Sequence, residues 1–172
     1  LYYSTNNGTD WIKVNNLPLT QFYDIALDSA NINRLYGGTQ DNNSIRTANG
    51  NTDDWEYLLG GDGMYCLVDY TDPNIYYCEY QYGGMYRFEN GLSYYIGFYG
   101  DERTNWSTPY ILHPSNPDIL YAASAELHRT IDGGTSWQRI ANTNDFFEGT
   151  GTDSSYTHAD HHALLFRPGS SK

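Results

Sequence analysis

TIDGGTSW, residues 130–137, and STNNGTDW, residues 4–11, share the form S/T-x-D/N-x-G-x-x-W. The pattern is a hairpin signal: an Asp or Asn whose side chain bonds nearby backbone, a Gly where the turn needs positive φ, and an aromatic on the returning strand. It is first of all structure. Two weaker copies lie between them: TANGNTDDW, residues 47–55, is one residue longer, and RFENGLSY, residues 87–94, lacks the opening Ser/Thr. The closing aromatics Trp11, Trp55, Tyr94 and Trp137 are therefore 44, 39 and 43 residues apart. A recurrence of about 40–45 residues with about four short strands per unit is the signature of a β-propeller.

A second repeated element gives the same count independently of the turns. IALDSANINRLYGG (residues 25–38), CLVDYTDPNIYYCE (66–79) and YILHPSNPDILYAA (110–123) align without a gap, each an apolar strand, a polar turn and a second strand centred on Tyr or Leu. A fourth copy begins at ALLFRPGSS, residues 163–171, where 163–166 reads as a fresh strand. With Asp28, Asp69, His113 and Arg167 in register, the steps are 41, 44 and 54, so the last interval holds an insertion. The expectation is an all-β chain of four-stranded antiparallel blades, with fragments at 1–15, 20–58, 63–97, 106–142 and 158–172. That is three full blades with partial blades at both ends. Because a propeller closes with about 4–8 blades, the implied partner is the remainder of the ring, in the same or another chain.

Composition narrows the functional classes. The chain has 172 residues, 18 Tyr and 4 Trp, and a formal net charge of −12 with 9 Lys+Arg. So few basic groups argue against nucleic acid, whose affinity rests on neutralising phosphates, and against anionic membrane surfaces. No apolar run approaches the roughly 20 residues of a membrane span. Cys66 and Cys78 flank the DYTDPN turn and belong to adjacent strands of one hairpin. A cross-strand disulfide and a pair of buried thiols fit that placement equally. Asn7, Asn42 and Asn105 each open an N-x-S/T glycosylation pattern, and a secreted or cell-surface protein is expected.

Strands that alternate in direction sort the connections onto two faces. Calling the strands of a blade a to d from the axis outward, the repeated a–b and c–d turns share one face. The less regular b–c and d–a connections share the other. Irregular segments on a rigid scaffold are where binding and catalysis concentrate. Those segments bring Gln40, Asp41, Asn42, Asp62, Tyr82, Asp101, Glu102, Arg103, Trp106, His158, Asp160 and His161 towards one rim.

At these residues the chain resembles the Asp-box (BNR-repeat) propellers related to sortilin-type and xyloglucanase-type glycoside-hydrolase propellers of secreted bacterial proteins. The resemblance spans essentially the whole chain and is carried by the two boxes and by LYGGTQDNNS, GGDGMYCLVDYTDPNIYY, YGGMYR and HADHHALLF. It implies a structural role, away from the active face, for the box residues Ser4, Asn6, Gly8, Trp11, Thr130, Asp132, Gly134 and Trp137. It also implies two functions: binding and hydrolysis of a polysaccharide, or sortilin-like holding of a protein or peptide.

A glycosidase needs two carboxylates flanking the scissile bond. Asp62 and Asp160 are the pair to name, because each directly precedes an inner strand and so faces the central channel. The competing role for Asp62 is bracing its own loop through backbone amides. Tyr82 and Trp106 can stack on sugar rings or cover the edge of a blade. The seven Arg are scattered and form no sialidase-type cluster. His158, Asp160, His161 and His162 have metal-ligand character but make only a partial site. No cofactor is called for. The Asp41-Asn42-Asn43 turn offers oxygens to a structural Ca2+, without the spacing of a dedicated calcium loop.

Overall fold

The computed structural model describes residues 2–14, 20–98, 102–141 and 161–167. A hairpin of β1 (Tyr2–Tyr3) and β2 (Ile12–Lys13) is followed by three four-stranded antiparallel sheets, each hydrogen-bonded in chain order. The first blade is β3 (Phe22–Asp28), β4 (Asn31–Thr39), β5 (Ser44–Thr47) and β6 (Trp55–Leu59). The second is β7 (Gly63–Val68), β8 (Tyr76–Tyr80), β9 (Gly84–Glu89) and β10 (Leu92–Tyr95). The third is β11 (Tyr110–His113), β12 (Asn116–Ala123), β13 (Leu127–Thr130) and β14 (Gln138–Ala141). The described residues form a partial β-propeller with three complete blades, as the two repeats imply.

Each turn type holds itself by the chemistry that its sequence supplies. At the a–b turns, Asp28 accepts from the Ala30 amide, Asp69 from the amides of Thr71 and Asp72, and His113 Nδ1 from the Ser115 amide. These are the three positions that the repeat places in register. In TIDGGTSW, Thr130 Oγ1 accepts from the amides of Asp132 and Gly134, and Asp132 Oδ1 accepts from the Ser136 amide. STNNGTDW repeats this atom for atom with Ser4, Asn6, Gly8 and Asp10. RFENGLSY differs: Asn90 and Gly91 have φ of 52° and 77° between paired Glu89 and Leu92, a two-residue turn that needs no opening hydroxyl.

The cores lie between blades. Tyr36, Cys66 and Cys78, with Tyr76 and Phe88, fill the junction of the first and second blades. Tyr77, Met85, Ile96, Tyr110, Leu120 and Ala122 fill that of the second and third. Tyr36, Tyr77 and Tyr110 are almost wholly buried. Burying each ring contributes on the order of 2–3 kcal/mol to folding. Directional bonds fix the docking: Trp137 Nε1 donates to the Ile96 carbonyl at 2.7 Å, and Tyr110 donates to the Tyr65 carbonyl at 3.2 Å. Backbones also meet closely. A Cβ on Gly38 would lie 1.9 Å from the Met64 carbonyl oxygen, and one on Gly63 would lie 2.4 Å from that of Asn43. LYGG and GGDG carry glycine there because two blades touch through their main chains.

Cys66 and Cys78 are directly opposed across β7 and β8, as free thiols with sulfurs 3.7 Å apart. Burial pushes the Cys78 thiol well above its ordinary pKa. Residues 161–167 form no ladder, so the strand expected at 163–166 is not made; a strand needs a neighbour to pair with, and none stands there among the described residues. The segment instead packs Phe166 edge-on against His113 and Tyr121. On the side of the first blade away from the second, Ile25, Gly37, Ile45 and Tyr57 form one cross-strand row, with Ile25 63% and Tyr57 64% exposed. This apolar face is the one that another blade covers in a closed ring.

Candidate binding face

The b–c connections of the first and second blades bond the d–a connections that enter the second and third, so among the described residues the second face is a hydrogen-bonded rim. Between the first and second blades, Asp41 and Asn43 adopt φ of 57° and 73°, which turns the chain tightly. The Gln40 amide donates to the Gln21 carbonyl at 2.9 Å, and the Asn43 amide to that of Gly61 at 3.0 Å. Asp62 Oδ1 accepts from the Asp41 amide, while the Asp62 amide donates to Gln81 Oε1 at 2.9 Å. Thr20, Gln21, Gln40, Asp41 and Asn42 line an open hollow of about 500 Å3.

Tyr82 is held at φ 61° in the tight connection between β8 and β9. Its amide donates to the Trp106 carbonyl at 3.0 Å, and Thr104 Oγ1 donates to the Tyr82 carbonyl at 2.8 Å. The two rings meet edge to face with centroids 5.1 Å apart, yet Tyr82 remains 62% and Trp106 42% exposed. Large aromatics held this firmly and left this open form a platform.

Further round the rim, the Ala125 amide donates to the Arg103 carbonyl at 2.7 Å, leaving the Arg103 side chain in solvent. Glu102 accepts from the Ser124 hydroxyl, and Arg139 donates to both carboxyl oxygens of Glu126 at 3.0 Å. Ser124 Oγ also lies 3.4 Å from His128 Nδ1. Burial holds the His128 imidazole below its ordinary pKa. The His161 carbonyl accepts from Asn105 Nδ2 at 2.7 Å. Asp101, His158 and Asp160 lie outside the described residues. The rim thus unites Gln40, Asp41 and Asp62 at one blade junction, and Tyr82, Glu102, Arg103, Trp106 and His161 around the next.

Beneath the platform lies a group that motif reading missed. Glu79 on β8 is fully buried; its Oε1 accepts from the Thr108 amide at 2.8 Å, and its Oε2 makes no hydrogen bond of ordinary geometry. Desolvation raises its pKa to about 8, against the pull of the Thr108, Tyr65 and Gly83 amides. The gapless repeat holds the signal that finds it: the same register position is Gly38 in the first blade and Ala123 in the third. Asp24, half-buried on the inner strand β3, is likewise raised by desolvation. Glu126 and His128 belong to no motif in the sequence, and only the fold brings Glu102 beside them.

No family model and no curated protein matches the chain. Solved structures do. An ancestral GH74 enzyme superposes with a TM-score of 0.62 at 20% identity, over 84% of this chain and 22% of that one. The GH74 xyloglucanase from Xanthomonas campestris gives 0.55 at 16% identity, over 83% and 27%. YCF48 from Cyanidioschyzon merolae gives 0.54 at 14%, over 74% and 42%. These likenesses share the propeller fold with this chain, which spans about a fifth to two-fifths of their length.

Proposed function

We propose that the chain is the binding part of a secreted or cell-surface Asp-box propeller and holds a polysaccharide on its loop-rich face. The observation that carries this reading is the exposed, backbone-pinned pair Tyr82 and Trp106. Sugar rings bind by laying apolar C–H faces on aromatic rings while their hydroxyls take polar partners. Here Arg103 at the same junction, and Gln40, Asp41 and Asn42 at the neighbouring one, supply those partners. The ancestral enzyme and the Xanthomonas campestris xyloglucanase are both GH74 enzymes, which supports a carbohydrate ligand.

Hydrolysis would use Asp62 with Asp160 as acid and base. Asp62 is engaged by the Asp41 amide, and that bracing favours binding over turnover. The test is a calorimetric titration of the chain with xyloglucan oligosaccharide and a panel of unrelated glycans, beside Tyr82→Ala and Trp106→Ala. Binding that weakens about tenfold in either variant, about 1.4 kcal/mol, supports the platform. Glycan binding indifferent to both substitutions removes it, and no glycan binding at all points to the alternative, a sortilin-like face for a protein or peptide.

A further inference from the structure

We propose that Glu102, Glu126 and His128 form a binding site for a divalent transition-metal ion of the zinc class, with one coordination position open to solvent. The three residues come from separate segments: the connection entering the third blade, the connection between β12 and β13, and β13 itself. Their candidate ligand atoms all lie within 4.8 Å of one another. Glu126 and His128 are 9% and 8% exposed, and Glu102 is half-buried.

The donor set fits the ion. One imidazole nitrogen with two carboxylate oxygens is a borderline-to-hard set of the kind that Zn2+ accepts. Ligand atoms about 2.0–2.1 Å from a tetrahedral Zn2+ sit about 3.3 Å apart. The widest pair therefore has to close by at most about 1.5 Å, within reach of carboxylate side-chain rotation. Outer partners already orient both carboxylates: the Ser124 hydroxyl on Glu102, and Arg139 on Glu126. Each carboxylate oxygen keeps a second lone pair, so these bonds and a metal bond can coexist. Two carboxylates against one guanidinium leave the cluster negative, and a cation completes it.

A hollow of about 260 Å3 lies alongside, lined by Phe98, Glu102, His128, Thr135, Ser136 and Trp137. Three protein ligands leave a tetrahedral ion its fourth position, which this hollow serves. Such an open position belongs to sites that bind or activate water or a small ligand rather than to closed structural sites.

The experiment is a Zn2+ titration of the metal-free full chain, by calorimetry and by imidazole 1H–15N NMR, with Glu102→Gln, His128→Asn and His162→Ala. One ion per chain is expected, with the His128 ring resonances shifting on binding. Affinity should fall at least about tenfold in Glu102→Gln and His128→Asn and hold in His162→Ala. Glu102→Gln answers alone where His128→Asn misfolds. No uptake below millimolar Zn2+, uptake indifferent to Glu102→Gln, or uptake lost in His162→Ala, which assigns the ion to the 158–162 histidine cluster, each overturns the proposal.

Discussion

Replacing Glu79 by glutamine separates the charge of a buried carboxyl from its shape. The unfolded glutamate has the ordinary value of 4.5 and the folded one titrates at about 8. The native state therefore holds the proton more tightly, and stability is lost as pH rises through the interval between the two values. Each unit within it costs the native wild type about 1.4 kcal/mol, so the accumulated loss above pH 8 is about 5 kcal/mol. The Glu79→Gln side chain would be neutral throughout. It keeps an acceptor for the Thr108 amide, and its NH2 takes the place of an Oε2 that makes no hydrogen bond. Below pH 4.5 the two proteins differ only by the cost of that amide, about 1–3 kcal/mol. The assay is urea unfolding of both proteins at about pH 5 and about pH 9, on either side of the raised value. Between these pH values, the variant should gain several kcal/mol relative to wild type. A difference between the two proteins that does not change with pH would refute the burial argument, because an exposed or well-solvated carboxyl has no such dependence.

Gly38→Ala should destabilise by about 3 kcal/mol or more, since its methyl would overlap the Met64 carbonyl of the next blade; a melting temperature within about 2 °C of wild type would contradict that backbone contact. Thr130→Ala removes the acceptor for the amides of Asp132 and Gly134 and should lower the urea unfolding free energy by about 1–3 kcal/mol while leaving glycan affinity unchanged. Hydrogen bonds from Ser136 and Thr130 hold the Asp132 carboxyl below its ordinary value of 3.8. Its contribution is therefore present above that value and lost as pH falls through the lowered one, so Asp132→Asn should flatten the acid limb of the stability profile.

The repeats made the fold legible because each is a local device that works wherever it recurs. A Ser/Thr, an Asp/Asn and a Gly at fixed spacing close a turn through contacts within about five residues, so TIDGGTSW and STNNGTDW fold alike. The rim was legible for a topological reason, since strand alternation alone assigns Gln40, Asp62, Tyr82 and Trp106 to one face. What the sequence hid is contact between blades. Nothing local says that Glu79 is desolvated beside Thr108, 29 residues on, or that Glu102 reaches Ser124, 22 residues on. For Asp62 the sequence offers both catalysis and bracing through backbone amides, and the structure engages its Oδ1 with the amide of Asp41 in a neighbouring loop.

Hydrogen exchange of the chain with and without bound oligosaccharide tests most directly that ligand lies on the loop-rich face. Slowed exchange is expected at residues 81–84 and 103–107, with the turns at 4–10 and 130–136 unchanged. Protection at those turns, with none around Tyr82 and Trp106, would place the ligand on the opposite face and contradict the account.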